Sequence, residues 1–375
     1  VAFSPDGETV ITGSHDGTAR VWAAAARPPI GHLLLQHQGM VREVAFSPDG
    51  KIVITGCEDG MARLWDASTG QPIGQPLPHR REVRAVAFSP DGKTVLTGSG
   101  DGTARLWDAS TGQPIGETMK HENAVTDAAF SPDGKIVLTG SWDMTARLWD
   151  ASTGQPIGET MKHPDLVWAV AFSPNGKTVI TGCLDNQAYF WDASTGRSLG
   201  RTLTHRDGVL AVAFSPDGKI VMTGSYDKTA RFWDASTGRS LGPTLTHQSG
   251  VFLVAFSRDG KTVVTNSYDA KARLWDVSTG QPLGQPLTQG GVSTVAFSPN
   301  GKTVLTESYD GTAWLWDAAA ELPDDLERVA NWVEALTGLA LDGSGTIQVL
   351  DNATWLQRRD KVKQQGGPPV ADAVR

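Results

Sequence analysis

Apolar and polar residues alternate along this chain in runs of about six, each run broken by Gly, Pro, Asp or Ser. Residues 79 to 120 illustrate the pattern, which predicts a strand over Val83–Ser89, a turn at Pro90, Asp91 and Gly92, and a second strand over Lys93–Gly98. A turn at Gly100, Asp101 and Gly102 leads to a third strand, Thr103–Asp108, and Ser110, Thr111 and Gly112 lead to a weaker fourth near Pro114–Met119. The stretches between turn signals reach only about seven residues, too short for an amphipathic helix.

This unit recurs. A Phe-Ser-(Pro or Arg)-(Asp or Asn)-Gly run begins at Phe3, Phe46, Phe88, Phe130, Phe172, Phe214, Phe256 and Phe297, and a tryptophan closes each unit at Trp22, Trp65, Trp107, Trp149, Trp191, Trp233, Trp275 and Trp316. The spacings are 43, then 42 five times, then 41, so eight units follow one another almost without insertions. A lone four-stranded sheet would expose two apolar faces and a long edge, so the sheets must stack face to face and curl into a ring. The expected fold is all-β, a closed β-propeller of four-stranded antiparallel blades over residues 1–320. Eight units favour eight blades; seven blades with one unit left over is the alternative. The chain opens at Val1 inside what later units show to be a strand, which suggests a piece of a longer protein, and the residues after Trp316 do not read as an outer strand for the last blade.

After Glu321 the period is lost. Pro323, Asp324 and Asp325 read as the first turn of a helix carrying Leu326, Val329, Trp332, Val333 and Leu336 on one face and ending at Gly338. Leu339–Asp342 and Thr346–Leu350 flank a Gly-Ser-Gly turn as a hairpin, and a second helix starts near Asp351 or Asn352. Residues 321–375 are thus expected to form a small α+β helix-hairpin-helix extension packing on the propeller, or else a separate docking tail.

A net charge of -8 argues against a surface built to neutralise phosphates, so nucleic acid is not an expected partner. Nor is a membrane, because no apolar run approaches the roughly 20 residues of a span and no signal-peptide pattern opens the chain. The two cysteines, Cys57 and Cys183, hold the same repeat position three units apart, too far to bridge, and free thiols favour a reducing, cytoplasmic setting.

The Trp-Asp pair ending the third strand and the His preceding the first resemble the WD40-repeat family, over residues 1 to about 317. The C-terminal segment is similar to tails that follow WD repeats in large bacterial multidomain proteins, some of them with a protein kinase. The family resemblance implies a buried hydrogen-bonded tetrad in each blade, which maps here onto His79, Thr97, Asp101 and Trp107 and their equivalents. His37, His79, His121, His163, His205 and His247 all hold the tetrad position, so they are read as structural and no metal is expected; the last unit has Gln289 there.

Catalytic signals are weak. Gly-Lys-Thr recurs at Gly92, Gly176, Gly260 and Gly301, but a phosphate loop needs glycine five residues earlier, where Ala87, Ala171, Ala255 and Ala296 stand. Every Ser and Asp that might act as nucleophile or acid belongs to the repeat, leaving only His15 and His32 outside it. No enzyme activity and no cofactor are expected.

In a repeat protein, positions that vary against a constant scaffold are candidates for recognition. Two such positions stand out. One precedes the tetrad Asp (His15, Glu58, Gly100, Trp142, Leu184, Tyr226, Tyr268, Tyr309), and the other follows the first Val of the inner strand (Arg42, Arg84, Thr126, Trp168, Leu210, Phe252, Ser293). Both are expected on one rim of the channel. There Arg42, Glu58, Glu82 and Arg84 form a polar arc, and Trp142, Leu166, Trp168, Leu184, Leu210, Tyr226, Phe252, Tyr268 and Tyr309 an apolar one. Large exposed aromatics favour a protein or peptide partner. The same residues could instead pack on one another or on the extension. The expected function is a noncatalytic interaction scaffold, with a small-molecule or glycan binder, or the sensing or docking region of a larger signalling protein such as a kinase fusion, as alternatives.

Overall fold

The computed structural model describes residues 1–14, 16–24, 31–288, 291–308, 313–317, 339–341 and 347–349, together with 354, 356 and 357. The chain divides into two compact units, Val1–Ala318 and Ala319–Arg375. In the second, Leu339–Leu341 pairs antiparallel with Ile347–Val349, which places a hairpin where the glycine-rich turn predicts one. The predicted helix before it lies outside the described residues, and 354, 356 and 357 are helical.

Eight antiparallel sheets follow one another in the first unit, each ordered as its strands occur in the chain. Six have four strands; in blade 3 these are Val83–Phe88, Thr94–Ser99, Thr103–Asp108 and Pro114–Lys120. Blade 7 (Val251–Phe256, Thr262–Ser267, Lys271–Asp276) adds to its three strands two isolated bridges, Ala272 to Leu287 and Trp275 to Pro282. Blade 8 (Val292–Phe297, Thr303–Ser308, Ala313–Asp317) has three strands among the described residues.

Packing runs between blades. Ile54, Leu64 and Leu77 of blade 2 share a buried cluster with Val83, Val86, Val95 and Trp107 of blade 3, and clusters of the same make-up join each later pair. Another joins blades 1 and 2. In the eighth cluster Val10 of blade 1 meets Leu305 and Ala313 of blade 8, so the packing returns from the last sheet to the first. The eight-blade reading therefore holds over the seven-blade alternative.

Close approach between blades depends on glycine in the second strand: a Cβ at Gly98 would stand 2.9 Å from Val125 Cγ1 of the next blade. Asn266 and Glu307 hold this position in blades 7 and 8. Asn266 Nδ2 donates to the Val292 carbonyl at 3.4 Å, whereas burial pushes the Glu307 carboxylate up to about 7, opposed by the Val1 amino group and the Gly13 backbone.

Candidate partner-binding rim

The tetrads anchor the rim. In all eight blades the closing tryptophan donates its indole N–H to a threonine hydroxyl in the second strand, as Trp107 does to Thr97 at 2.8 Å. His79 Nε2 lies 2.7 Å from the same Thr97 Oγ1, and its Nδ1 lies 3.4 Å from Asp101 Oδ2. His121 with Asp143 and His205 with Asp227 repeat this at 2.9 Å.

In blades 2, 5 and 7 the histidine loses its aspartate. Arg63 donates to His37 Nδ1 and Arg273 to His247 Nδ1, while Asp185 takes the Tyr189 hydroxyl and leaves His163 Nδ1 unpartnered. The cause is legible in the next strand. Intact tetrads carry Thr103, Thr145 or Thr229, whose hydroxyl holds one aspartate oxygen at 2.5–2.6 Å and so turns the other to the imidazole. Met61, Gln187 and Lys271 stand there in the other three and offer no hydroxyl. Burial pulls His37, His163 and His247 down to about 4, with the neighbouring guanidinium adding to the effect at His37 and His247.

His37, Cys57 and Asp59 bring potential ligand atoms within 4.8 Å of one another. Arg63 occupies this trio as its cation, 2.9 Å from His37 Nδ1 and 2.8 Å from Asp59 Oδ2. Cys57 and Cys183 are both buried and free, and burial pushes the Cys183 thiol up to about 12, which makes it inert.

Both variable positions lie on one rim because, in blades 2 to 7, backbone hydrogen bonds tie the second strand to the loop entering the first. Trp142 N donates to Ala124 O, Leu184 N to Leu166 O, Tyr226 N to Gly208 O and Tyr268 N to Gly250 O, all at 2.9–3.0 Å. The second variable residue is the extra one in a β-bulge: Val167 pairs with Cys183 and Ala169 with Gly182, leaving Trp168 between them. Arg42, Arg84, Thr126, Leu210, Phe252 and Ser293 are bulged in the same way. A bulge re-aims its side chain, here toward the rim.

The apolar arc forms two groups of rings in contact. Trp142 and Trp168 lie with centroids 6.0 Å apart at 32°. Tyr226 stacks on Tyr268 at 5.9 Å and 15°, and Phe252 meets Tyr268 at 4.7 Å. Tyr226 and Tyr268 are 38% and 47% exposed; Leu166, Trp168, Leu184 and Phe252 are half-buried. Leu210 is a correction: it is 2% exposed and offers a partner no surface, being shorter than the Trp168 and Phe252 that hold its position in the flanking blades. Tyr309 lies outside the described residues. The polar arc pairs internally, Arg42 with Glu58 at 2.6 Å and Arg84 with Glu82 at 2.7 Å, but Arg84 also stands 4.2 Å over the Trp142 ring and so joins the two arcs.

Blades 4 to 7, which carry these aromatics, also place Met144, Asn186, Lys228 and Ala270 at positive φ in the adjoining turn, where blades 1 to 3 have Gly17, Gly60 and Gly102. Backbone strain of this kind concentrates at functional sites.

A third varying position of the inner strand carries Glu43 in blade 2 and Asp127 in blade 4, and sequence reasoning did not single it out. Glu43 Oε2 accepts from Val86 N and Asp127 Oδ2 from Val170 N, both at 2.8 Å, each reaching the inner strand of the next blade. Blades 3 and 5 to 8 carry Ala85, Ala169, Ala211, Leu253 and Thr294 there, so charge at this position was the available signal. Both side chains keep some contact with water while protein surrounds them. Burial and the like charge of Asp127 push Glu43 up to about 8, and burial raises Asp127.

Eight stacked antiparallel units, six of them four-stranded and two three-stranded among the described residues, each closed by a Trp-Thr bond, define a repeat propeller. The WD domain, G-beta repeat, matches the chain at residues 1–23, 29–66, 70–108, 112–150, 154–192, 197–234, 239–276 and 281–317, and the chain belongs to this WD40 family. Its members are typically protein-interaction scaffolds and generally noncatalytic. Among solved structures, the chain is similar to the crystal structure of the computationally designed Ika8 protein, at 32% identity and a TM-score of 0.74 over 84% of this chain and 94% of that one. No curated protein matches. Among the described residues no helix is long and apolar enough to cross a membrane.

Proposed function

We propose that this protein is a noncatalytic scaffold that docks a protein or peptide on the rim of blades 4 to 7. The observation that carries this reading is the pair of aromatic groups, Trp142 with Trp168 and Tyr226 with Phe252 and Tyr268, held at the surface by bulges and strained turns. Such rings give a partner large contact area at low entropic cost. Arg42 contributes a polar edge. The same rim suits the sensing or docking half of a longer cytoplasmic signalling chain.

A small-molecule or glycan site is less favoured. A cleft of about 460 Å³ lies on the outer wall, lined by Glu117, Lys120, Arg147, Trp149 and Pro156, and not among the rim aromatics.

The test is selection of displayed 12-residue peptides on the immobilised protein, followed by calorimetry with Trp168→Ala and Phe252→Ala. Each substitution is expected to weaken the selected peptides at least tenfold. Unchanged affinity with an unaltered circular dichroism spectrum would defeat the proposal.

A further inference from the structure

Trp142 is held in an awkward place. Its indole nitrogen is buried with no hydrogen-bond partner among the described residues, an orientation that costs free energy and must be enforced from outside the ring. Its neighbours on the two flanking blades differ in kind. Trp168 of blade 5 lies against it, tilted by 32° with centroids 6.0 Å apart, and from blade 3 the Arg84 guanidinium stands 4.2 Å over its centroid.

Arg84 is itself held. Its Nε and NH2 donate to Glu82 Oε1 at 3.0 and 2.7 Å, and the side chains of both residues are largely buried, at 20% and 17% exposure. Glu82 can take this position because residue 100 has no side chain. A Cβ at Gly100 would stand 2.6 Å from the Glu82 carboxyl carbon, and other blades fill that position with Glu58, Trp142, Leu184, Tyr226 or Tyr268.

We infer that Gly100, Glu82 and Arg84 form a clamp spanning blades 3 to 5 that sets the orientation of the Trp142–Trp168 pair, so that Arg84 is a positioning residue for the docking rim and not a contact for the partner. The carboxylate fixes the guanidinium, the guanidinium attracts the negative face of the indole, and the indole presents Trp168. The assignment of the pair to a docking seat rests on the function proposed above; the clamp itself does not.

The experiment uses the whole chain labelled with 5-fluorotryptophan, its fluorine resonances for Trp142, Trp168 and Trp107 assigned by single Trp→Phe substitutions. Arg84→Met, Glu82→Gln and Gly100→Ala are expected to shift the Trp142 and Trp168 resonances in the same direction, with Trp107 unmoved, and Arg84→Lys, which keeps the charge but loses the two-nitrogen contact to Glu82 and the flat stacking group, is expected to leave much of that shift in place. Gly100→Ala is the discriminating variant, because it touches neither tryptophan and acts only by displacing Glu82. Trp142 and Trp168 resonances that stay in place, or a Trp107 resonance that moves as far, would overturn the clamp. The selected peptides then separate the two readings: affinity lowered at least fivefold by Gly100→Ala supports the clamp as part of the docking seat. Shifted resonances with peptide binding unchanged would overturn that role, and shifted resonances with no peptide selected at all would leave the clamp standing and reject the docking function.

Discussion

Glu43 of blade 2 accepts a hydrogen bond from the Val86 N–H of blade 3 at 2.8 Å, on an inner strand edge that no other strand covers among the described residues. Its carboxyl sits at about 8 against an ordinary 4.5, so the folded chain holds this proton more tightly than the unfolded one. The stability this confers is complete below about 4.5 and is lost as the pH rises through 8. Glu43→Gln keeps an oxygen for Val86 and cannot ionise. Thermal melts should show it equal to the native chain near pH 4.5 and more stable at pH 9; a gap that fails to widen would refute the assignment.

His37, His163 and His247 act in the opposite sense. They sit at about 4 in the fold against an ordinary 6.5, so their contribution is complete above 6.5 and is lost as the pH falls through 4. Because Glu43 changes over an overlapping range, the effect is read by difference. Urea unfolding of His163→Gln should show a smaller loss of stability between pH 7 and pH 4.5 than the native chain, and equal losses would count against it.

Met61→Thr should restore a complete tetrad in blade 2. The new hydroxyl would hold one Asp59 oxygen, as Thr103 holds Asp101 at 2.6 Å, and turn the other from Arg63 to His37. A proton NMR titration should find the His37 pKa raised from about 4 toward its ordinary value. An unmoved titration would show that the threonine does not steer the aspartate.

Thr97→Val removes the oxygen shared by Trp107 Nε1 and His79 Nε2 while preserving volume at a fully buried site. Each group left unpaired costs about 1–3 kcal/mol. Chemical denaturation should register the sum, and a loss below about 1 kcal/mol would mean that water or rearrangement replaces the hydroxyl.

Ala270 has φ 60° in a turn where blade 3 uses Gly102. Ala270→Gly should stabilise by about 0.5–1 kcal/mol. Gly102→Ala should destabilise, since its Cβ would stand 2.9 Å from the His121 carbonyl oxygen. Unfolding midpoints that move the other way would contradict the strain assigned to these turns.

Much of the fold is legible in the sequence because it is local and repeated. The strand limits of blade 3 follow from turn residues to within about a residue. The rim could be located, but its internal arrangement could not. Nothing in the order of residues says that Arg84 leaves the polar arc to stack on Trp142, or that Leu210 sinks below the surface. The broken tetrads did have a signal, in Met61, Gln187 and Lys271 standing where intact blades carry threonine.

The sequence by itself determined eight repeat units, their strands and their turns, because period-two alternation and turn chemistry act between near neighbours, while the threonine under each tryptophan was what the family resemblance implied. Only the tertiary structure decided which rim rings touch, which histidines keep their aspartate and which carboxylates bridge to the next blade. Those outcomes depend on distances between residues one repeat apart, and the stacking and curvature of the sheets set such distances while a one-dimensional period does not.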